Sequence, residues 1–354
     1  MPPLRVMQVS RVRMNPYVGL LKEALVQMGV SCEVSDGLSP RLIHLWRGQV
    51  DVLHIHWLEL LYTSPRLRRR LRLMGSVLSA LLMARVERLG ITCTMHNVSP
   101  HETSFAGMDR LAYRVLLKLA GAVHVHDEEA AQGLAEHFGR RSGVFVIPHG
   151  SYIGAYPNAC TRKEAHERLG LDREGFVYLF LGQVRRYKGI EELIRAYREV
   201  DPKDAWLLIA GNVHDEGYAN ALRDLANRPG IRTWFEYVPD AEVQYYMNAS
   251  DVCVLPYRDV TTSGAAVLAF SFGKPIVAPA LGGFRRLAAD GRGITYEPLA
   301  EGALSASLIE ARAMDLAGAS QAALSWAQAH EWRSLAPSFA ELYASVSERG
   351  RPRG

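Results

Sequence analysis

The chain has 354 residues, 48% of them hydrophobic and 22% charged, with a formal net charge of +4. Its length exceeds one ordinary core and points to two domains of roughly 150 to 200 residues each, and its composition excludes a disordered or fibrous protein. So dilute a charge does not by itself argue for nucleic acid, and none is expected as a partner; no stretch reaches the roughly 18 apolar residues that span a bilayer.

The N-terminus, MPPLRVMQVS, has too short an apolar run for a signal peptide, so a cytoplasmic protein is expected. Apolar strand-like runs follow at Leu4 to Val9, Asp51 to His56, Ile91 to Met95, Ala122 to His126 and Val144 to Ile147. Helical spacing separates them, as in Val18 to Met28 and Leu111 to Leu119. Continuous rather than alternating apolar strands fit a parallel sheet covered on both faces. Arg66, Arg68, Arg69, Arg70 and Arg72 crowd ahead of an apolar run from Leu73 to Ala84. As a helix, residues 66–88 would be basic and amphipathic, either packing on the core or touching a membrane surface at the inner face.

Beyond Pro148-His149-Gly150 the pattern restarts, with strands at Phe176 to Leu181, Ala205 to Ala210, Arg232 to Phe235, Asp251 to Leu255 and Pro275 to Val277. The fold class is therefore α/β, with two doubly wound, Rossmann-like parallel-sheet domains facing a central cleft. The first is expected over 1–155 and the second over 156–327, with a helix near 328–348 returning to the first. The Ala-rich segment from Ala317 to Ser347 reads as helical with a break at Pro337. Cys32, Cys93, Cys160 and Cys253 have no paired spacing and read as buried thiols.

Ligands of open parallel sheets bind at the carboxyl ends of the strands. After Val177 to Leu181 comes Gly182-Gln183-Val184-Arg185-Arg186-Tyr187-Lys188-Gly189, where two guanidinium groups and an ammonium suit a diphosphate. After Val252 to Leu255 comes Pro256 to Gly264, ending in Thr261-Thr262-Ser263-Gly264 at a helix start, where free N–H groups and the helix dipole favour an anion. Gly211, Gly282 and Gly283 close other strands with side-chain-free turns.

The order Gly182 to Gly189, Tyr237-Val238-Pro239, Asp251 to Tyr257, Thr262-Ser263-Gly264, Phe272-Gly273-Lys274-Pro275 and Gly282-Gly283 resembles the donor domain of GT-B fold glycosyltransferases. It is similar to the large family of bacterial mannosyl- and glucosyltransferases of polysaccharide and glycolipid assembly. The resemblance implies a nucleotide diphosphate sugar as co-substrate, GDP-mannose first and a UDP-sugar second, with no obligatory cofactor or metal. It implies a saccharide or lipid-linked saccharide acceptor. Lys188 occupies the family's lysine position, whereas Gln183 stands where the arginine usually follows the glycine, so Arg185 or Arg186 substitutes. Gly211, Tyr237, Val238 and Tyr257 are further donor or acceptor contacts.

Retaining members of that family carry a Glu, seven residues, then a second Glu before Gly-Lys-Pro. Here those positions are Val260 and Leu268, or Thr261 and Ala269 in the neighbouring register. No carboxylate results, so the chain looks more like the divergent branches that contain polymer-building β-mannosyltransferases, and that resemblance implies an inverting transfer with its general base in the first half. Strand ends there offer His56-Trp57-Leu58-Glu59 and His96-Asn97-Val98-Ser99-Pro100-His101-Glu102. The family resemblance assigns His96 a place near the reacting sugar. Glu102 and His101 are the candidate bases, with His56 and Glu59 behind them. Asn15 and Tyr17 are candidate donor or acceptor contacts, and His124 and His126, on one face of a strand, read as structural. A nucleotide-sugar 2-epimerase and a non-catalytic nucleotide-sugar binder are the alternative functions.

Overall fold

The computed structural model describes residues 3–96, 105–172 and 174–347. The chain divides into two compact units, one built from residues up to Gly150 together with those from Trp332 onward, the other from Ser151 to Glu331.

The first unit runs β1 (Arg5–Val9), α1 (Tyr17–Gln27), β2 (Ser31–Ser35), α2 (Pro40–Trp46), β3 (Val52–His56), α3 (Leu67–Val86) and β4 (Gly90–Thr94). It continues with α4 (Ala106–Leu119), β5 (Ala122–Val125), α5 (Glu128–Phe138) and β6 (Val144–Val146). The strands form one parallel sheet in the order β2-β1-β3-β4-β5-β6. β3 and β4 lie in the middle and are buried along their whole length, as their unbroken apolar runs require.

The second unit comprises α6 (Arg162–Leu169), β7 (Phe176–Leu181), α7 (Ile190–Val200), β8 (Ala205–Ala210), α8 (Glu216–Ala226), β9 (Ile231–Trp234) and α9 (Val243–Ala249). There follow β10 (Val252–Val254), α10 (Gly264–Ser271), β11 (Ile276–Pro279), α11 (Phe284–Leu287), β12 (Gly293–Tyr296), α12 (Ala303–Ala313) and α13 (Leu316–Ala329). Its sheet is also parallel, in the order β12-β11-β10-β7-β8-β9. Thus β7, β10 and β11 are neighbours, and the loops that follow them emerge side by side.

α14 (Trp332–Val346) belongs to the first unit. The break expected at Pro337 is not there: the proline sits inside α14, and the chain turns instead between α13 and α14. An interior proline costs about 3 kcal/mol. Against that, α14 buries Trp332, Leu335, Phe339, Leu342, Tyr343 and Val346, each contributing roughly 1.5–3 kcal/mol.

α3 begins at Leu67, so the arginine cluster is part of the helix rather than a preface to it. Met74, Val77, Ala80, Leu81 and Ala84 face the core. Arg70 is buried with them because Asp109 of α4 meets its guanidinium at 2.7 Å, and the Tyr62 hydroxyl donates to the same carboxylate at 2.9 Å. The four cysteines are free; Cys160 is half-buried and the others buried.

Candidate functional site

In the second unit, glycines let the strand-end loops interlock. A Cβ on Gly211, whose φ is +145°, would lie 1.7 Å from the Gly182 carbonyl oxygen, so the loops after β7 and β8 touch through backbone. Those loops pair once more at Val184 and Val213. Gly189, at φ +66°, allows a short 3-10 turn at Arg186–Lys188 to lie on Pro256, and Arg258 N–H donates to the Tyr187 carbonyl at 2.8 Å. Gly282 likewise admits the Val260 carbonyl, drawing the loop after β11 against the one after β10.

This turn sets Lys188 Nζ 3.4 Å from the centroid of the Tyr257 ring and 5.1 Å from that of Tyr187. Among the described residues no carboxylate pairs with it. Burial, with no anion to compensate, pulls its pKa down to about 7. The ring attraction holds the ammonium but leaves its N–H groups for a ligand. Farther along the same loop the Thr262 hydroxyl is buried without a hydrogen-bond partner. Ser263 Oγ accepts from Ala266 N–H at 3.3 Å, capping α10, whose first residue is Gly264. Thr261 and Thr262 are half-buried and Ser263 buried.

Other expected contacts are disposed differently. Arg185 is half-buried at the head of the turn. Arg186 is exposed and turned to the start of α8, 3.3 Å from Asp215 and 4.4 Å above the Tyr218 ring. Tyr257 is buried, so its ring meets Lys188 rather than solvent. The need for Gly211 is explained by its approach to Gly182. Tyr237 and Val238 follow the edge strand β9, and the Tyr237 hydroxyl donates to Asp240 at 3.3 Å.

In the first unit the strand ends carry aromatic rings packed on one another. Trp57 takes a left-handed conformation, φ 45°, and stacks on His96 with centroids 3.7 Å apart and planes within 5°. For a large non-glycine residue this is strain held by its surroundings. Tyr17, expected to touch a ligand, is wholly buried: its ring stands edge-on to His96, His149 and Trp332 at 4.7 to 5.0 Å. Asn15 Oδ1 accepts from Tyr17 N–H at 2.9 Å, fixing the start of α1.

His56 is also wholly buried, Nε2 on Gln8 Oε1 at 2.7 Å and Nδ1 on His96 Nε2 at 3.2 Å. Both nitrogens are engaged, and desolvation lowers its pKa to about 3, so it offers no basic nitrogen to an acceptor. Desolvation also drives His96 and His126 well below the usual imidazole range, and His149 to about 4. Glu59 accepts from the Tyr113 hydroxyl at 2.5 Å, and burial raises its pKa. His101 and Glu102 lie outside the described residues. Among the described residues no His, Cys, Asp or Glu group is arranged to hold a metal ion.

Sequence reasoning missed Trp57, His149 and Trp332. Trp57 was visible beside His56, and His149 lay in Pro148-His149-Gly150, read only as the point beyond which the strand pattern restarts. Nothing in the linear sequence ties Trp332 to Gly150, where a Cβ would strike its indole at 2.3 Å.

Residues 175–313 match the family model described as glycosyl transferases group 1. A GDP-mannose:glycolipid 4-beta-D-mannosyltransferase of Xanthomonas campestris pv. campestris is 26% identical over 272 residues, 75% of this chain and 70% of that protein. The fold matches sucrose-phosphate synthase from Thermosynechococcus elongatus with a TM-score of 0.75 at 15% identity, covering 96% of this chain and 98% of the other. It also matches Anabaena Alr3699/HepE, solved in complex with UDP, with a TM-score of 0.73 at 17% identity over 97% and 100% of the two chains. Residues 175–313 thus carry a glycosyl transferases group 1 domain, and the chain is a glycosyltransferase of the GT-B fold.

Proposed function

We propose that this enzyme moves a hexose from a nucleotide diphosphate sugar, GDP-mannose before a UDP-sugar, to a saccharide or lipid-linked saccharide acceptor with inversion at the anomeric carbon. The observation that carries the reading is Lys188, a dehydrated ammonium on an aromatic ring with its pKa near 7 and no anion beside it among the described residues. A diphosphate supplies the missing charge. The unpartnered Thr262 hydroxyl and the capped start of α10 are in keeping with the same ligand, and Arg185 adds a guanidinium at the head of the turn. The GDP-mannose preference leans on the Xanthomonas relative's name, and UDP is the ligand of the Anabaena structure.

Inversion is favoured by the composition of residues 256–273, whose single carboxylate is Asp259. With no glutamate pair behind the donor, the general base belongs to the N-terminal unit. Glu102 holds that role, with His101 second, and His96 contacts the sugar. As the new bond forms, the carboxylate takes the acceptor hydroxyl's proton while cationic groups stabilise the departing nucleotide diphosphate.

A lipid-linked acceptor suits the outer face of α3. Leu67, Leu71, Leu82 and Val86 are exposed there beside Arg68, Arg69, Arg72 and Arg85, and 66–86 contains no acidic residue. No described helix is long and apolar enough to cross a membrane. Flotation with anionic vesicles but not with neutral ones is expected, and equal behaviour with both would remove the membrane role.

The decisive experiment is thermal stabilisation by GDP, UDP, ADP and dTDP, since a ligand that binds only the native state raises its melting point. No shift with any of the four would overturn the donor site. Glu102→Ala and Lys188→Met then separate enzyme from binder: an enzyme loses turnover with either, a binder loses affinity with Lys188→Met alone.

A further inference from the structure

Eight polar groups thread the face of the first sheet that α14 covers, and their hydrogen bonds permit one direction only. The backbone carbonyl of Ile147 can only accept, so His124 Nε2, 2.8 Å away, carries a proton. Burial keeps His124 neutral, with a pKa of about 4, and its Nδ1 is therefore a lone pair. Thr94 Oγ1, at 2.9 Å, must donate to that lone pair. The same oxygen then accepts from His54 Nε2 at 2.8 Å, which leaves His54 Nδ1 to accept from the Tyr343 hydroxyl at 2.9 Å. Tyr343 in turn accepts from Gln8 Nε2 at 2.9 Å, so the amide's Oε1 points at His56 Nε2, 2.7 Å away. His56 donates there, and its Nδ1 accepts from His96 Nε2 at 3.2 Å.

The chain of bonds crosses β5, β4, β3 and β1 because the parallel register sets Thr94 opposite His124 and Gln8 opposite His54. α14 supplies one of the two bridging hydroxyls, on Tyr343, and Thr94 of β4 the other. Turning the Gln8 amide over would reverse every bond back to Ile147 and set the lone pair of His124 Nε2 against the carbonyl. Two acceptors face to face in a buried site have no water to relieve them. A single carbonyl therefore sets the tautomers of four imidazoles.

We propose that Gln8 and Tyr343 are positioning residues that lock His96 as the neutral Nε2–H tautomer, so that its Nδ1 lone pair accepts a hydroxyl of the donor sugar. The sugar contact rests on the assignment of His96 above; the tautomer does not. His126 Nε2, 3.5 Å from that lone pair, stands at the outer limit of a hydrogen bond, so a hydroxyl that approaches has little to displace. In this tautomer His96 orients the sugar and donates no proton to the leaving group.

Ring nitrogens of 15N-histidine-labelled protein, read by two-bond proton–nitrogen correlation with His96 identified by His96→Gln, report the tautomer without any substrate. Wild type is expected to show His96 neutral and protonated at Nε2 from pH 6 to 8. Tyr343→Phe cuts the link between His54 and Gln8, frees the amide to turn, and should give His96 a mixed tautomer. kcat for sugar transfer should fall about tenfold, the scale of one hydrogen bond, with KM for the nucleotide sugar unchanged. Gln8→Leu, which takes the acceptor from His56, is the second variant should Tyr343→Phe not fold. Nδ1 protonation or a charged ring in wild type, or an unaltered His96 signal in both variants, would overturn the lock. A released tautomer with unchanged kcat would instead remove His96 from the sugar and leave nucleotide binding standing.

Discussion

Both units end their parallel strands in polar side chains, yet the two clusters have opposite chemistry. In the first, His54, His56 and His124 spend both ring nitrogens on neighbours, His96 spends Nε2 and leaves Nδ1 only a 3.5 Å approach to His126, and all four are kept neutral by burial. In the second, Lys188 keeps an ammonium and Thr262 a hydroxyl that no group among the described residues pairs. A saturated cluster specifies geometry; an unsaturated one stores affinity for whatever completes it. Substitutions in the first unit should therefore be felt as stability and orientation, and those in the second as binding.

Lys188→Met should give the largest binding effect. Methionine keeps an unbranched stem over Tyr257 while removing the charge, so transfer and nucleotide affinity should fall about hundredfold, as expected for losing charge-assisted bonds to phosphate. Without nucleotide the melting temperature should hold or rise, because a buried charge with no counterion among the described residues has gone. A lowered melting temperature with intact affinity would put Lys188 on the structural side. The counterpart in the first unit is His124→Leu, which takes the Nε2–H donor from the Ile147 carbonyl and the acceptor from the Thr94 hydroxyl proton, Thr94 Oγ1 keeping His54. Urea unfolding should report a loss of about 2–3 kcal/mol with nucleotide affinity unchanged.

The contrast also explains what could be read from sequence. The central strands were legible because full burial on both faces demands continuous apolar runs, as in Val52–His56 and Ala205–Ala210. The edge strands β2 and β12 escaped, since Ser31–Ser35 has one buried residue and Gly293–Tyr296 is a short run with one. Arginines and a lysine beside a glycine announce an anion site in the linear sequence, so the second unit's cluster was visible. It did not reveal that Arg186 faces Asp215. The first unit's cluster joins residues as far apart as Gln8 and Tyr343, and period-two alternation shows only that His124 and His126 share a face. Proline at 337 misled because local propensity carries no account of the apolar face that α14 buries.

A gentler probe of the same contrast is pH. Lys188 in the free protein loses its proton around pH 7, and a bound diphosphate raises that value by favouring the ammonium. Nucleotide affinity should therefore be insensitive to this group below pH 7 and weaken by up to about tenfold per unit above it, until the complex's own pKa is reached. Titration calorimetry at pH 8 in buffers of different ionisation enthalpy should register proton uptake on binding. Lys188→Met should abolish that uptake, and uptake that persists would assign it to another group.

The smallest effect is expected at Arg186. Its partner Asp215 is exposed, as it is, and exposed ion pairs contribute little, so Arg186→Ala should leave the melting temperature nearly unchanged. While the guanidinium stays over Tyr218 it is not free for a phosphate, and nucleotide affinity should change by less than about fivefold. Asp215→Asn tests the same geometry from the other side: weakening the hold on the guanidinium should tighten nucleotide binding if Arg186 can swing to the diphosphate. A loss in Arg186→Ala as large as that of Lys188→Met, joined to a gain in Asp215→Asn, would place Arg186 in the grip. The surface pair with Asp215 would then be a parking position, abandoned when the ligand arrives.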